Sequence, residues 1–172
     1  MPTVVTHAAV PLAIAVAAGP QRISRHVAMM GVVLAMLPDA DVIGFRIGIQ
    51  YADTWGHRGA THSLVVALLA AAVIAAFWRP ARATGVFLFL FFAAASHGLL
   101  DAFTDGGLGI ALLWPFGDAR YFAPVTPIRV SPIGSGFFSA RGFETLLSEL
   151  RWIWLPSLAL AIGGRATMRR LD

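Results

Sequence analysis

The residues able to do chemistry are few, and they fall in four short clusters. His7 stands alone near the start, Asp39 and Asp41 lie in PDAD, and His57 and His62 lie in HRGATHS. His97, Asp101 and Asp105 share SHGLLDAFTDGG. Imidazole and carboxylate suit zinc first, with manganese or iron also served, and suit copper(I) or iron–sulfur clusters poorly. The chain has no cysteine, so thiolate sites and disulfides are excluded.

Spacing adds detail. His97 and Asp101 are four residues apart, so on a helix they stack on one face, where they can share one ion or the carboxylate can bridge two. Asp39 and Asp41, two apart, diverge on a regular helix, but Pro38 before them predicts a turn on which both can point inward. Thr61 is the expected N-cap of the next helix, leaving His57 on the preceding loop and His62 in the first turn. The donors outnumber the three or four that one catalytic zinc takes. One or two ions are therefore expected. Plainer readings exist for single members: PDAD as a turn, Asp101 as a partner of Arg58, and His26 as an interfacial residue. What favours a common site is where the elements deliver the clusters.

Those elements are set by composition. Of 172 residues, 58% are apolar and only 13% charged, with a mean hydropathy of +0.73. Soluble domains average about 45–50% apolar and about 25% charged, so there is too little charge here for a water-facing surface. The expected fold is all-α: an integral membrane bundle of about five short transmembrane helices, in one domain over residues 1–172. Apolar runs place the spans near residues 4–19, 23–37, 63–78, 84–100 and 152–164. The runs are rich in Ala and Leu without period-two alternation, which argues against strands. Residues 104–150 form a long outer loop rich in Pro, Gly and aromatics, suited to the membrane–water interface. Residues 142–151 read as a short amphipathic helix leading into the last span.

All 13 basic residues are Arg. Arg22, Arg25, Arg79, Arg82, Arg165, Arg169 and Arg170 fall on one side of the predicted topology, joined only by the acidic Asp172. The positive-inside rule puts that side in the cytoplasm, the N-terminus outside and the C-terminus inside. The pI near 11.0 therefore signals topology and not nucleic-acid binding. The first apolar run has no basic residue before it, unlike a cleaved signal, and reads as a retained span. On this topology every site cluster reaches the outer end of its helix, and four of the five spans contribute.

The early THA, PDAD, HRGATHS and SHGLLDAFTDGG followed by WPF, in this order, resemble the membrane-bound metal-dependent hydrolase family, the YdjM-like inner-membrane proteins, some of them LexA-regulated. The resemblance covers about two-thirds of the chain, from His7 to WPFGDARYF, and implies a hydrolase of the inner membrane. A looser similarity to the zinc phospholipase C and P1 nuclease group implies one metal held by Asp39 or Asp41, His57 or His62, His97 and Asp101. Asp101 would then bridge to a second metal on His7. That group's later histidines have no counterpart, since no His follows His97.

The expected function is metal-assisted hydrolysis of a lipid-borne phosphoester or related ester at the outer face. Asp39 or Asp105 would act as base. Arg58, Arg120 and Arg129 are candidates to hold anionic oxygens, with Arg58 inside the histidine motif. Membrane lipid is then both environment and substrate. A span of about 15 residues covers only about 22 Å of a roughly 30 Å core, which sets the donors somewhat below the headgroups. The alternatives are a metal or proton transporter and a non-catalytic structural metal clamp.

Overall fold

The computed structural model describes residues 1–132 and 134–171; Ile133 of the predicted loop and the terminal Asp172 lie outside them. A 3-10 turn, Val4–Ala8, runs directly into helix α1 (Ala9–Ala18), which stops at Gly19 with φ +83°. Ser24 caps α2 (Arg25–Met36), its hydroxyl accepting from the Val27 amide at 3.5 Å. Ser63 caps α3 (Leu64–Phe77), accepting from the Val66 amide at 3.1 Å. The cap is thus Ser63 and not Thr61, whose hydroxyl is spent on Asp41. Helix α4 spans Thr84–Ala102, and α5 (Ala140–Glu149) continues through a π turn, Leu150–Trp154, into α6 (Leu155–Leu171). The π turn ends two residues before Pro156, which has no N–H to donate back into the turn.

Each of the five predicted spans coincides with a helix. Three helical stretches are long and apolar enough to cross a membrane: Arg25–Ile47, Thr84–Ala102 and Ala140–Arg170. Val4–Ala18 and Leu64–Phe77 are apolar but shorter. One boundary differs from expectation. The chain does not turn at PDAD but winds on as a 3-10 helix, Leu37–Ile47, because proline is tolerated in a first helical turn. The predicted amphipathic helix at 142–151 is α5, and it joins the last span without a break.

Helix α1 packs on α6, and α4 packs on both α2 and α3. The core shared by α1, α2, α3 and α4 is made of small and branched residues such as Ala15, Val27, Leu34, Ala71, Leu90 and Ala94. Alanine at the contacts lets helix backbones approach closely, the packing favoured where lipid removes the hydrophobic drive. Outward-facing Val16, Leu69, Val73, Phe92 and Ile162 remain exposed, a surface fit for hydrocarbon. Between α4 and the 3-10 turn Gly134–Phe138, the described residues of the long loop pair only as isolated bridges, Thr104 with Ile128 and Ile110 with Tyr121.

Candidate metal centre

Alternating helix directions bring the start of α1, the end of α2, the start of α3 and the end of α4 to one end of the bundle. There, His7, Asp39, His62, His97 and Asp101 converge, each at most 4% exposed. The Nε2 atoms of His62 and His97 are 3.0 Å apart. Asp39 Oδ1 lies 3.4 Å from His97 Nε2, and Asp101 Oδ2 lies 3.6 Å from His62 Nε2. His7 Nε2 approaches Asp101 Oδ1 at 3.6 Å and Asp39 Oδ2 at 3.9 Å. Its ring stacks on that of His97, with centroids 3.8 Å apart.

This is a ligand geometry. Zinc–nitrogen bonds of about 2.0–2.1 Å set two donors roughly 3.3 Å apart across a tetrahedral edge. One donor atom each from Asp39, His62, His97 and Asp101 falls within 4.8 Å of the others, so the four can hold a metal ion. Both nitrogens of His7, all four carboxylate oxygens of Asp39 and Asp101, and Arg58 Nε are buried without a hydrogen-bond partner. A buried charged group left unpaired costs several kcal/mol, which a divalent cation among these atoms would offset. The residues present therefore fit a metal.

A surrounding layer fixes the donors. His97 Nδ1 donates to the Ala35 carbonyl at 2.7 Å, which leaves Nε2 free to ligate. Asp41, by contrast, faces away from the four-donor group. Its Oδ1 meets His57 Nδ1 at 2.7 Å, and its Oδ2 accepts from the Thr61 hydroxyl at 2.7 Å and lies 3.3 Å from His62 Nδ1. Asp41, His57 and His62 could hold an ion of their own, but as carboxylate-to-imidazole bonds these contacts orient His62. Burial holds the His62 imidazole below its ordinary pKa, so it is neutral and ready to bind.

The three arginines named from sequence are all engaged with protein groups. Arg58, fully buried, donates to the carbonyls of Gly106 (2.7 Å) and Leu108 (2.8 Å) and to the Thr104 hydroxyl (2.8 Å). Its Nε stands 3.5 Å from Asp101 Oδ2. Arg58 has φ +67°, a left-handed conformation that is strained for a side chain of this size. Arg120 donates to the carbonyl of His57 at 3.1 Å and to that of Asp53 at 3.0 Å, fastening the loop before α3. Arg129 pairs with Asp105 at 3.0 Å, and Asp105 also accepts from the Val130 amide at 2.8 Å. Asp105 therefore lies outside the cluster.

One anchor escaped the sequence reading. Glu149, fully buried at the end of α5, accepts from the Thr3 amide (2.5 Å) and from the hydroxyls of Thr3 (2.8 Å) and Thr6 (2.7 Å). Trp154, in the π turn, donates its indole N–H to the Thr6 hydroxyl at 3.0 Å. Together they pin the 3-10 turn that carries His7. Partners 146 residues apart leave no local pattern, so no sequence signal marked them.

Fold and site together define a helical membrane protein with a buried imidazole–carboxylate cluster at one end of its bundle. The chain belongs to the YdjM inner membrane protein family, whose model matches residues 1–170. It is 45% identical over 164 residues to "Inner membrane protein YbcI" of Escherichia coli (strain K12), covering 93% of this chain and 95% of that one. No solved structure matches, so the looser similarity to the phospholipase C and P1 nuclease group has no structural support.

Proposed function

We propose that the protein is a metal-dependent hydrolase of the inner membrane, acting on a lipid-borne phosphoester or related ester. The observation that carries this is the convergence of buried imidazoles and carboxylates from four helix ends, with the His7, Asp39 and Asp101 donor atoms left without hydrogen-bond partners. His62, His97 and Asp101 would hold the ion, most suitably zinc. When bound, it would supply Lewis-acid polarisation and water acidified toward neutral pH. Asp39, with both oxygens uncommitted, is the carboxylate left to accept a proton. Asp41 orients His62, and Arg58 holds Asp101 against the ends of the outer loop.

A second reading, a structural clamp in which Asp39 closes the shell as fourth ligand, is favoured by the deep burial of every donor. Asp39→Asn separates the two. The hydrolase reading expects retained stoichiometric zinc with lost turnover on phosphoester lipids, whereas the clamp expects zinc itself to be lost. Transport finds less support, because among the described residues no buried titratable side chain lies in the half of the bundle that carries Arg79. We further propose that the site end faces outward, with Arg79 and Arg165 on the cytoplasmic side. The chain lacks cysteine, so Arg79→Cys gives a clean accessibility test: labelling from outside intact cells would overturn this orientation.

A further inference from the structure

Beside the candidate metal centre lies a cleft of about 690 Å³, several times the volume of four smaller cavities of about 50–180 Å³. That is within the roughly 300–1,000 Å³ of ordinary ligand pockets. Val4, Val5, Val42, Phe45 and Phe138 line it, and Arg46 is among its walls. The cleft and the centre share two elements. Val4 and Val5 belong to the 3-10 turn that carries His7, and Val42 to Arg46 continue the segment that carries Asp39 and Asp41. The cleft is rimmed with exposed hydrophobic side chains, Val5 at 64% and Phe138 at 90%. Arg46, unlike Arg58, Arg120 and Arg129, makes no hydrogen bond or ion pair among the described residues.

An apolar trough with one free guanidinium matches an amphiphile with one anionic group. We infer that this cleft binds a phospholipid of the surrounding bilayer, its phosphate on Arg46 and an acyl chain along the valine and phenylalanine walls. Guanidinium pairs phosphate through forked, charge-assisted bonds. The apolar walls take the chain for the same reason that any buried hydrocarbon leaves water. Naming the lipid as substrate rests on the hydrolase reading; the binding itself does not.

The test uses the full-length protein in vesicles doped with phosphatidylglycerol bearing a photoreactive acyl chain. Cross-linked peptides are mapped and bound zinc is measured in parallel. Labelling is expected at Val42, Phe45 and Phe138, and Arg46→Glu should lower it about tenfold, the scale of a lost charged hydrogen bond, with zinc unchanged. If Arg46→Glu fails to fold, Val42→Trp, which narrows the trough, should lower labelling likewise. Labelling unchanged by either variant, or equal with a diacylglycerol carrying the same chain, would overturn the proposal. Arg46-dependent labelling without any hydrolysis would leave the cleft standing and the hydrolase reading refuted. Lipid turnover accompanied by labelling insensitive to both variants would do the reverse.

Discussion

Removal of the Glu149 carboxylate should loosen the metal centre from a distance. In Glu149→Ala the Thr3 amide loses its partner, while the Thr3 and Thr6 hydroxyls keep each other at 3.0 Å, and Trp154 keeps Thr6. One orphaned buried amide, two weakened hydroxyl contacts and the space left behind sum to about 3 kcal/mol. For a chain of this size that lowers the melting temperature by about 6–12 °C. Glu149→Gln keeps the Thr3 amide bond, and its NH₂ can donate to both hydroxyl oxygens. The charge assistance and the acceptor of one hydroxyl are lost, about 1.5 kcal/mol or roughly 3–6 °C. Because the same bonds hold the turn whose His7 stacks on His97 and faces Asp101, zinc affinity should fall about 10–100-fold in the alanine variant and much less in the glutamine one. Thermal unfolding in detergent, with zinc titrated by a competing chelator, reads both quantities. Equal behaviour of the two variants, or full destabilisation with unchanged zinc affinity, would refute a positioning role for Glu149.

Asp41→Asn should weaken zinc binding about 10–100-fold by freeing the His62 and His57 rings, measured by the same titration. Gly98→Ala places a methyl 2.5 Å from the His62 carbonyl, so α4 must move off the histidine segment. An overpacking loss of about 1–3 kcal/mol and reduced metal loading are expected from unfolding and metal analysis. The depressed pKa of His62 sets a sign for pH: its contribution to stability is full above about 6.5 and erodes as pH falls from there toward the lower folded value. The thermal stability of the metal-free protein should therefore decline below about pH 6.5 on account of His62, and a His62→Asn variant that keeps the same decline would contradict this.

The helices were legible because apolar runs of Ala, Leu and Phe have only one way to satisfy a backbone in lipid. The donors were legible for a related reason: buried imidazoles and carboxylates at matching helix ends must meet. Local punctuation misled. Pro38 looked like a break but opens a 3-10 run, and Thr61 and Ser63 offered equivalent hydroxyls, of which Asp41 took one. The arginines were the least legible. Arg58 and Arg120 bind carbonyls of irregular loops whose paths follow no period, and Asp105 found Arg129 across such a loop. Glu149 looked like the polar side of an amphipathic helix, yet it is fully buried.

The contacts that brace the centre differ in when they become available. In a chain synthesised from its N-terminus, all five clustered donors have emerged once α4 is made. The acceptors of Arg58 at residues 104–108 follow, and Glu149 emerges later still. Until then Arg58 has nothing to hold its left-handed backbone, and the turn bearing His7 is untethered. A growing chain thus presents scattered imidazoles, and only a finished one presents a tight pocket. On the metal-site reading, a cation would therefore find its full set of oriented donors only after α5 has been made.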